Sequence, residues 1–200
     1  MLDSFTIDKI MVAKLSDKNV DNLANFNCVD EEEVFLGFKN KQKKKFIEYS
    51  HNINYFIKNE ALEEQEQNLN TTYILHEENK VLGFVSICAD NIRLNMDEKK
   101  EEELKYASIP SLKIARLAVD KQYQHKGLGR LLIELAIYKA LTARDIMGVK
   151  FITVDCYKHR ETYYQQLGFI ENKQINEGKP GDNPKSYRLN IDKYLECRKF

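Results

Sequence analysis

The sequence predicts a mixed α/β fold of the α+β type: a mostly antiparallel sheet interrupted by one parallel β-α-β crossover. Three observations predict it. Two β-rich runs, residues 71–76 and 81–89, are joined only by Glu77-Glu78-Asn79-Lys80, which reads as a hairpin and an antiparallel pair. Farther on, an apolar run over residues 112–119, a strongly apolar helical segment and a second apolar run over residues 149–157 follow as strand, helix, strand, and a helical connection returns the chain to a parallel strand. The 200 residues, 42% apolar and 31% charged, suffice for one buried core, so residues 1–200 are expected to form a single domain.

Taken in order, residues 5–15 carry enough β-branched and aromatic residues for a first strand, and Ser16 or Asp17 then offers the N-cap of a helix. Residues 53–67 place Ile53, Phe56, Ile57 and Leu62 on one side of an amphipathic helix, with carboxylates opposite. After the hairpin, residues 95–110 are polar and end in Pro110, as a surface excursion would. In the apolar crossover helix Glu134, Tyr138, Thr142 and Asp145 form one narrow polar stripe, so most of its circumference must be buried, and Gly148 is placed to stop it in the left-handed conformation. A short helix before Gly168, a strand starting at Phe169 and Ile170, a Gly/Pro-rich loop over residues 178–184 and a closing strand over residues 186–191 complete the chain.

Thirty-one basic and thirty-one acidic side chains cancel, so no global attraction to nucleic acid or anionic membrane is expected. Residues 101–200 nevertheless hold 18 basic and 13 acidic side chains. Lys41, Lys43, Lys44 and Lys45 invite a nucleic-acid reading, but a solvated helix face explains them too, with the acidic residues 30–33 nearby to cancel much of the field. The first residues break their apolar positions with Asp and Lys, unlike a signal peptide, and no run approaches the roughly 20 apolar residues of a membrane span, so a cytoplasmic protein without membrane contact is expected. Cys28, Cys88, Cys156 and Cys197 lie far apart with no His spaced to complete a zinc site; no metal is expected, and Cys88 and Cys156 read as small buried hydrophobes.

The chemistry concentrates in Gln124-His125-Lys126-Gly127-Leu128-Gly129-Arg130, between a buried strand and the start of the buried helix. Two glycines free the backbone and let a ligand approach it, and the first helical turn presents unpaired N–H groups at the positive end of the helix dipole, which suits a phosphate or diphosphate. A nucleotide P-loop would need Gly at 124 and Lys at 130, and a dinucleotide fingerprint would need Gly at 132; the chain has Gln, Arg and Leu there. A tight turn with no ligand would also use two glycines.

The flanks decide. Gln124-x-x-Gly127-x-Gly129, after Ile114-Ala115-Arg116-Leu117-Ala118-Val119, resembles the acetyl-coenzyme A loop of the GNAT N-acetyltransferases, and Tyr164-Gln165-Gln166-Leu167-Gly168-Phe169 resembles their late Tyr-x-x-x-Gly-Phe. The likeness covers the chain from about residue 71 onward. Upstream, Phe26-x-Cys28, the helix around residues 54–62 and Ala115 to Asp120 resemble a subgroup that includes toxins acetylating the amino group of aminoacyl-tRNA; residues 39–52 and the neutral charge depart from it.

The resemblance implies a cleft where two parallel strands splay, acetyl-coenzyme A as cosubstrate, and direct attack by an acceptor amine. It implies that Leu117, Ala118 and Val119 bond the pantetheine arm through their backbone, an N–H near Val119 facing the developing oxyanion, while Gln124, His125, Lys126, Gly127, Leu128, Gly129 and Arg130 hold the diphosphate, His125 through its main chain. Tyr164 would be the general acid for the departing thiolate, with Tyr163 as the alternative inward-facing ring and Tyr157 as a weaker candidate. A thiol near pKa 8.5 and a phenol near 10 leave roughly 2 kcal/mol for a positioned hydrogen bond to bridge, and an α-amino acceptor near 7.7 needs no strong base. His159 and Arg160 are candidates to touch the acceptor. Acceptors compatible with the resemblance are aminoacyl-tRNA, a protein amine or a small molecule, and partners are tRNA, an antitoxin protein and a second copy in a homodimer. The competing class is a non-catalytic module that keeps the fold and binds the coenzyme or a partner.

Overall fold

A computed structural model of the chain describes residues 9–33, 35–179 and 183–197. Seven strands, β1 (Met11–Lys14), β2 (Thr71–Glu77), β3 (Lys80–Arg93), β4 (Ser108–Val119), β5 (Phe151–Cys156), β6 (Ile170–Glu171) and β7 (Lys185–Asn190), order as β1-β2-β3-β4-β5-β7-β6. β1 pairs antiparallel with β2 (Met11 with His76), and β5 and β6 each pair antiparallel with β7. The parallel pair is β4 with β5, in register from Ser111–Phe151 to Ile114–Val154, and β4 runs on beyond that register to Val119. Among the described residues the α-helices are α1 (Asn40–Asn59), α2 (Ala61–Glu66), α3 (Met96–Glu101), α4 (Leu128–Ala143), α5 (Glu161–Gln166), α6 (Lys173–Asn176) and α7 (Ile191–Glu196). The predicted mixed α/β class, the hairpin and the parallel crossover are all present, and no helix among the described residues is long and apolar enough to cross a membrane.

The contacts divide the chain into two compact units: Met1–Val34, Ile47–Ser86 and Arg116–Glu134 in the first, Phe35–Phe46, Ile87–Ala115 and Leu135–Phe200 in the second. In the first unit Leu15, Phe26, Phe56, Ile57, Ile74 and Phe84 form a core that Ala118 of β4 joins, with the Phe26 and Phe84 rings edge to face at 5.7 Å. The helix expected over residues 53–67 is the end of α1 plus α2, and Phe56 and Ile57 are buried in this core with Ile53 and Leu62 at its margin. In the second unit Ile92, Leu94, Ile109 and Phe151 cluster under Leu104 and Ile175.

Several local expectations are corrected. Residues 5–8 of the strand predicted over residues 5–15 lie outside the described residues, and β1 covers only its end. Neither Ser16 nor Asp17 caps an α-helix: the Ser16 N–H donates to Asn19 Oδ1 at 2.9 Å and only a 3-10 turn, Val20–Leu23, follows, because short Asn and Asp side chains compete for backbone groups. The polar excursion is mostly exposed, as expected, but it is not irregular throughout. It contains α3, closed by a capping box between Asn95 and Glu98, and Glu98 is fully buried against Arg188 of β7, Nη1 to Oε1 at 2.8 Å. Gly148 is not among the glycines at positive φ; α4 ends at Ala143, and Arg144 folds back to donate to the Val149 carbonyl. β7 does not close the sheet but lies between β5 and the two-residue edge strand β6, and Pro180 to Asp182 of the preceding loop lie outside the described residues. None of the four cysteines is in a disulfide; Cys28 and Cys156 are buried, while Cys88 is only half-buried.

Candidate active site

The loop between β4 and α4 is built entirely within the first unit. Asp120 ends β4 and caps a short 3-10 turn, Lys121–Tyr123, by accepting from the Gln122 N–H at 3.0 Å. Gln124 then turns inward: its Nε2 donates to the Cys28 and Val119 carbonyls, both at 3.1 Å. His125 adopts φ 60° and Gly127 φ 85°. Left-handed residues spaced this closely are the backbone pattern of an anion-binding nest, and α4 starts at once behind it. The Cβ that Gly127 lacks would meet nothing within 4 Å, so the nest opens outward. Such an arrangement fits a diphosphate. Leu128 is buried and anchors the first turn of α4.

Two cations are less free than the sequence implied. Arg130 Nε donates to Glu134 Oε1 at 3.1 Å, an i,i+4 ion pair, and the Lys126 ammonium lies 4.9 Å from the Tyr123 ring centroid. Sequence reasoning missed Lys80, whose ammonium lies 4.7 Å from the same ring and donates to Gln122 Oε1 at 3.2 Å. Its position at the hairpin turn carried no signal of proximity to the loop.

The strand end is held from both sides. Asp120 N–H donates to the Leu82 carbonyl, the Asn27 N–H donates to Asp120 Oδ2 at 2.9 Å, and the Lys121 N–H donates to the Asn27 carbonyl at 2.8 Å. Asn54 of α1 accepts from the Cys28 N–H and donates to Asn27 Oδ1, which fixes the Phe26-x-Cys28 segment to the helix. Ala118 and Val119 are buried and Leu117 half-buried. Gly83 of β3 was also missed: a Cβ there would stand 3.0 Å from the Ala118 carbonyl oxygen and 3.2 Å from Leu132 Cδ1, so only glycine lets these atoms come so near. An isolated Gly in a strand was the available signal.

Tyr164 belongs to the second unit. It sits on α5, which Gly168 terminates at φ 92°, the left-handed stop predicted for it. The ring is only 8% exposed and packs edge to face on Phe169 at 5.4 Å and on Tyr163 at 5.3 Å. Burial, with the nearby Cys156 sulfur second, pushes its phenol well above the usual range, so it keeps its proton at every physiological pH and is a hydrogen-bond donor. Cys156 itself is pushed up to about 12, chiefly by burial, and is no nucleophile. His159 is not poised for contact with a charged acceptor. Its ring packs against Phe46 at 4.1 Å and Phe35 at 5.3 Å, its Nδ1 is buried without a hydrogen-bond partner, and burial, then Arg160, lowers its pKa to about 3. Among the described residues no cluster of His, Cys, Asp and Glu could hold a metal ion.

Comparison with known proteins is in line with this geometry. The model of the acetyltransferase (GNAT) domain matches residues 30–179. Among solved structures, AtaT complexed with acetyl-methionyl-tRNAfMet superposes with a TM-score of 0.70 at 20% identity, over 94% of this chain and 98% of that one. An AtaT variant bound to the C-terminus of the antitoxin AtaR and acetyl-CoA gives 0.65 at 18% identity, over 96% and 99%. The KacTA–DNA complex gives 0.65 at 17% identity, over 94% and 97%. At these identities the solved structures speak for the fold.

Proposed function

This chain belongs to the GNAT acetyltransferase family, which makes it an acetyl-CoA-dependent N-acetyltransferase, and we propose that its acceptor is the α-amino group of an aminoacyl-tRNA. The observation that carries the donor half is the Gln124–Arg130 loop, with positive φ at His125 and Gly127 ahead of a helix start. In our reading its N–H groups take the diphosphate, Lys126 and Lys80 add positive charge, and Arg130 contributes less because Glu134 already pairs with it. Leu117, Ala118 and Val119 bond the pantetheine arm. Gln124 keeps its place by occupying the Val119 carbonyl, which leaves the strand end in one fixed orientation.

Bound acetyl-CoA supplies a thioester carbonyl open to attack by a neutral amine. Tyr164 then donates a hydrogen bond to the sulfur as the C–S bond breaks, and the proton shed by the amine nitrogen ends on the departing thiolate, directly or through solvent. Its raised pKa makes complete proton transfer to a thiolate more uphill than the bare values indicate, so stabilisation by a retained proton is the role that fits. The acceptor half is supported by the resemblance of Phe26-x-Cys28 and of residues 54–62 to the toxin subgroup, by the bonds that tie Cys28 to Gln124 and Asn54, and by the fold shared with AtaT. An antitoxin protein is the partner implied with it, and the cytoplasm, where charged tRNA resides, is the compartment. Incubation with labelled acetyl-CoA and aminoacyl-tRNA tests the proposal: label released with the amino acid on mild alkaline treatment supports it. Label entering only protein or small amines refutes the RNA acceptor.

A further inference from the structure

The lysine run left unexplained by the sequence acquires a definite setting. Lys39, Lys41, Lys43, Lys44 and Lys45 fall within seven residues, and residues 35–46 contain no acid. They do not serve the helix, because cations in the first turn of α1 oppose its dipole. What seats this end is aromatic: Phe46 packs on Phe35, Phe38 and His159, with ring centroids 5.4, 5.1 and 4.1 Å away. That contact is the reason His159 is neutral. It also brings the lysines to the turn Lys158–Arg160 within the same unit. Lys43, three residues before Phe46, lies on the flank toward that turn, whereas Lys41, Lys44 and Lys45 share the opposite face, where Glu48 is the one carboxylate at helical spacing. Lys41, Lys44 and Lys158 are exposed, and neither Lys41, Lys43 nor Lys44 makes an ion pair among the described residues.

We propose that this lysine face is the docking surface for the phosphate backbone of the RNA whose aminoacyl end is the acceptor. The proposal rests on the aminoacyl-tRNA reading above, and it resolves a tension in the chain: with zero net charge the protein has no general attraction for RNA, so local cations must supply it. Lys41, Lys44 and Lys45 on one face, with Lys43 on the adjoining flank and Glu48 the one carboxylate at helical spacing, suit a backbone of closely spaced phosphates better than a single bound anion.

The test is binding of deacylated tRNA by the full chain across a salt series, for the natural protein, a Lys41→Gln/Lys43→Gln/Lys44→Gln variant and the corresponding triple Arg variant. Each lost phosphate contact removes about 0.7–0.9 from the slope of log affinity against log salt, so the Gln variant should lose about 2. Its affinity deficit should then shrink more than tenfold between about 50 and 200 mM salt. The Arg variant should keep the natural slope, thermal melting should confirm that all three fold, and acetylation of an aminoacyl-dinucleotide lacking the RNA body should be equal in all. An unchanged slope in the Gln variant overturns the proposal. A lysine-dependent slope in a protein that fails to acetylate aminoacyl-tRNA supports the surface while refuting the acceptor.

Discussion

Replacing Gly127 separates the loop's role in binding from its role in folding. At φ 85° an L side chain costs about 1–2 kcal/mol, but a Cβ there meets nothing within 4 Å, so Gly127→Ala carries backbone strain without a clash. In a chain of this size about 1 kcal/mol moves the melting temperature by roughly 2–4 °C, so a fall of roughly 2–8 °C is expected with native circular dichroism retained. Coenzyme binding should suffer far more. Two charge-assisted hydrogen bonds from the nest to the diphosphate, lost or displaced, cost about 3 kcal/mol together, or roughly 10²-fold in Kd. Gly127→Asn is the second arm, because Asn tolerates the left-handed region and therefore keeps the backbone while placing a side chain in the opening. Calorimetric titration with acetyl-CoA should show both variants folded and both weakened. A natural Kd in either folded variant would mean that the diphosphate binds elsewhere and the loop assignment is wrong.

Tyr164→Phe should lower kcat by about 10²-fold with coenzyme Kd unchanged, and Tyr163→Phe should not; equal activity of Tyr164→Phe and the natural enzyme dismisses the hydrogen bond to the sulfur. Arg188→Met leaves Glu98 buried and uncompensated and should cost about 3–5 kcal/mol, read as a melting temperature lower by roughly 6–20 °C. Burial alone would raise the Glu98 pKa, but the N–H groups of Asn95 and Lys173 and the Arg188 guanidinium outweigh it and hold it below the usual range. Its contribution is therefore present above the unfolded carboxylate pKa and lost as pH falls through the lower folded value; Glu98→Gln should flatten the acid limb of the melting curve. His159, held near 3 when folded, takes up a proton on unfolding below its ordinary pKa of 6.5, so stability should decline as pH drops from 6.5 toward 4. His159→Phe should remove that decline, and an unaltered pH profile would place the ring in water instead.

What the sequence revealed and what it hid follow from the range of the forces involved. The hairpin, the apolar crossover helix and the Gly168 stop are set by neighbours within a few residues, so pattern and turn chemistry exposed them. The loop was legible because its glycines and its position before a helix act locally. Within the mostly exposed polar stretch the burial of Glu98 was not legible, because its partner, Arg188, is 90 residues away, and a buried ion pair is written in the same letters as a solvated face. Gly148 was misread for a related reason: Arg144 reaching Val149 and Asp192 turns the chain where a left-handed glycine was anticipated. Gly83 carried a signal, a lone glycine inside a strand, but which backbone approaches it, like the loop that approaches Lys80, is not written in one-dimensional spacing.

The same logic explains why the loop we propose for the coenzyme is braced by residues with no chemistry of their own. A nest of N–H groups binds an anion well only if it is already shaped before the anion arrives, since ordering a flexible loop would consume the binding energy. Here the shaping is distributed: Asp120 caps the turn, Gln124 ties it to Val119 and Cys28, and Asn27 with Asn54 ties Cys28 to α1. All but the Asn54–Asn27 bond engage a backbone group, so removing one of these side chains takes a partner from the backbone as well as loosening the loop. Positions 27, 54 and 124 should therefore behave as one group in double-mutant cycles of coenzyme affinity. Coupling between Asn54→Ala and Gln124→Ala is the decisive pair, because only the shared segment at Asn27 and Cys28 connects them, and strict additivity would show that the loop holds its shape without the brace.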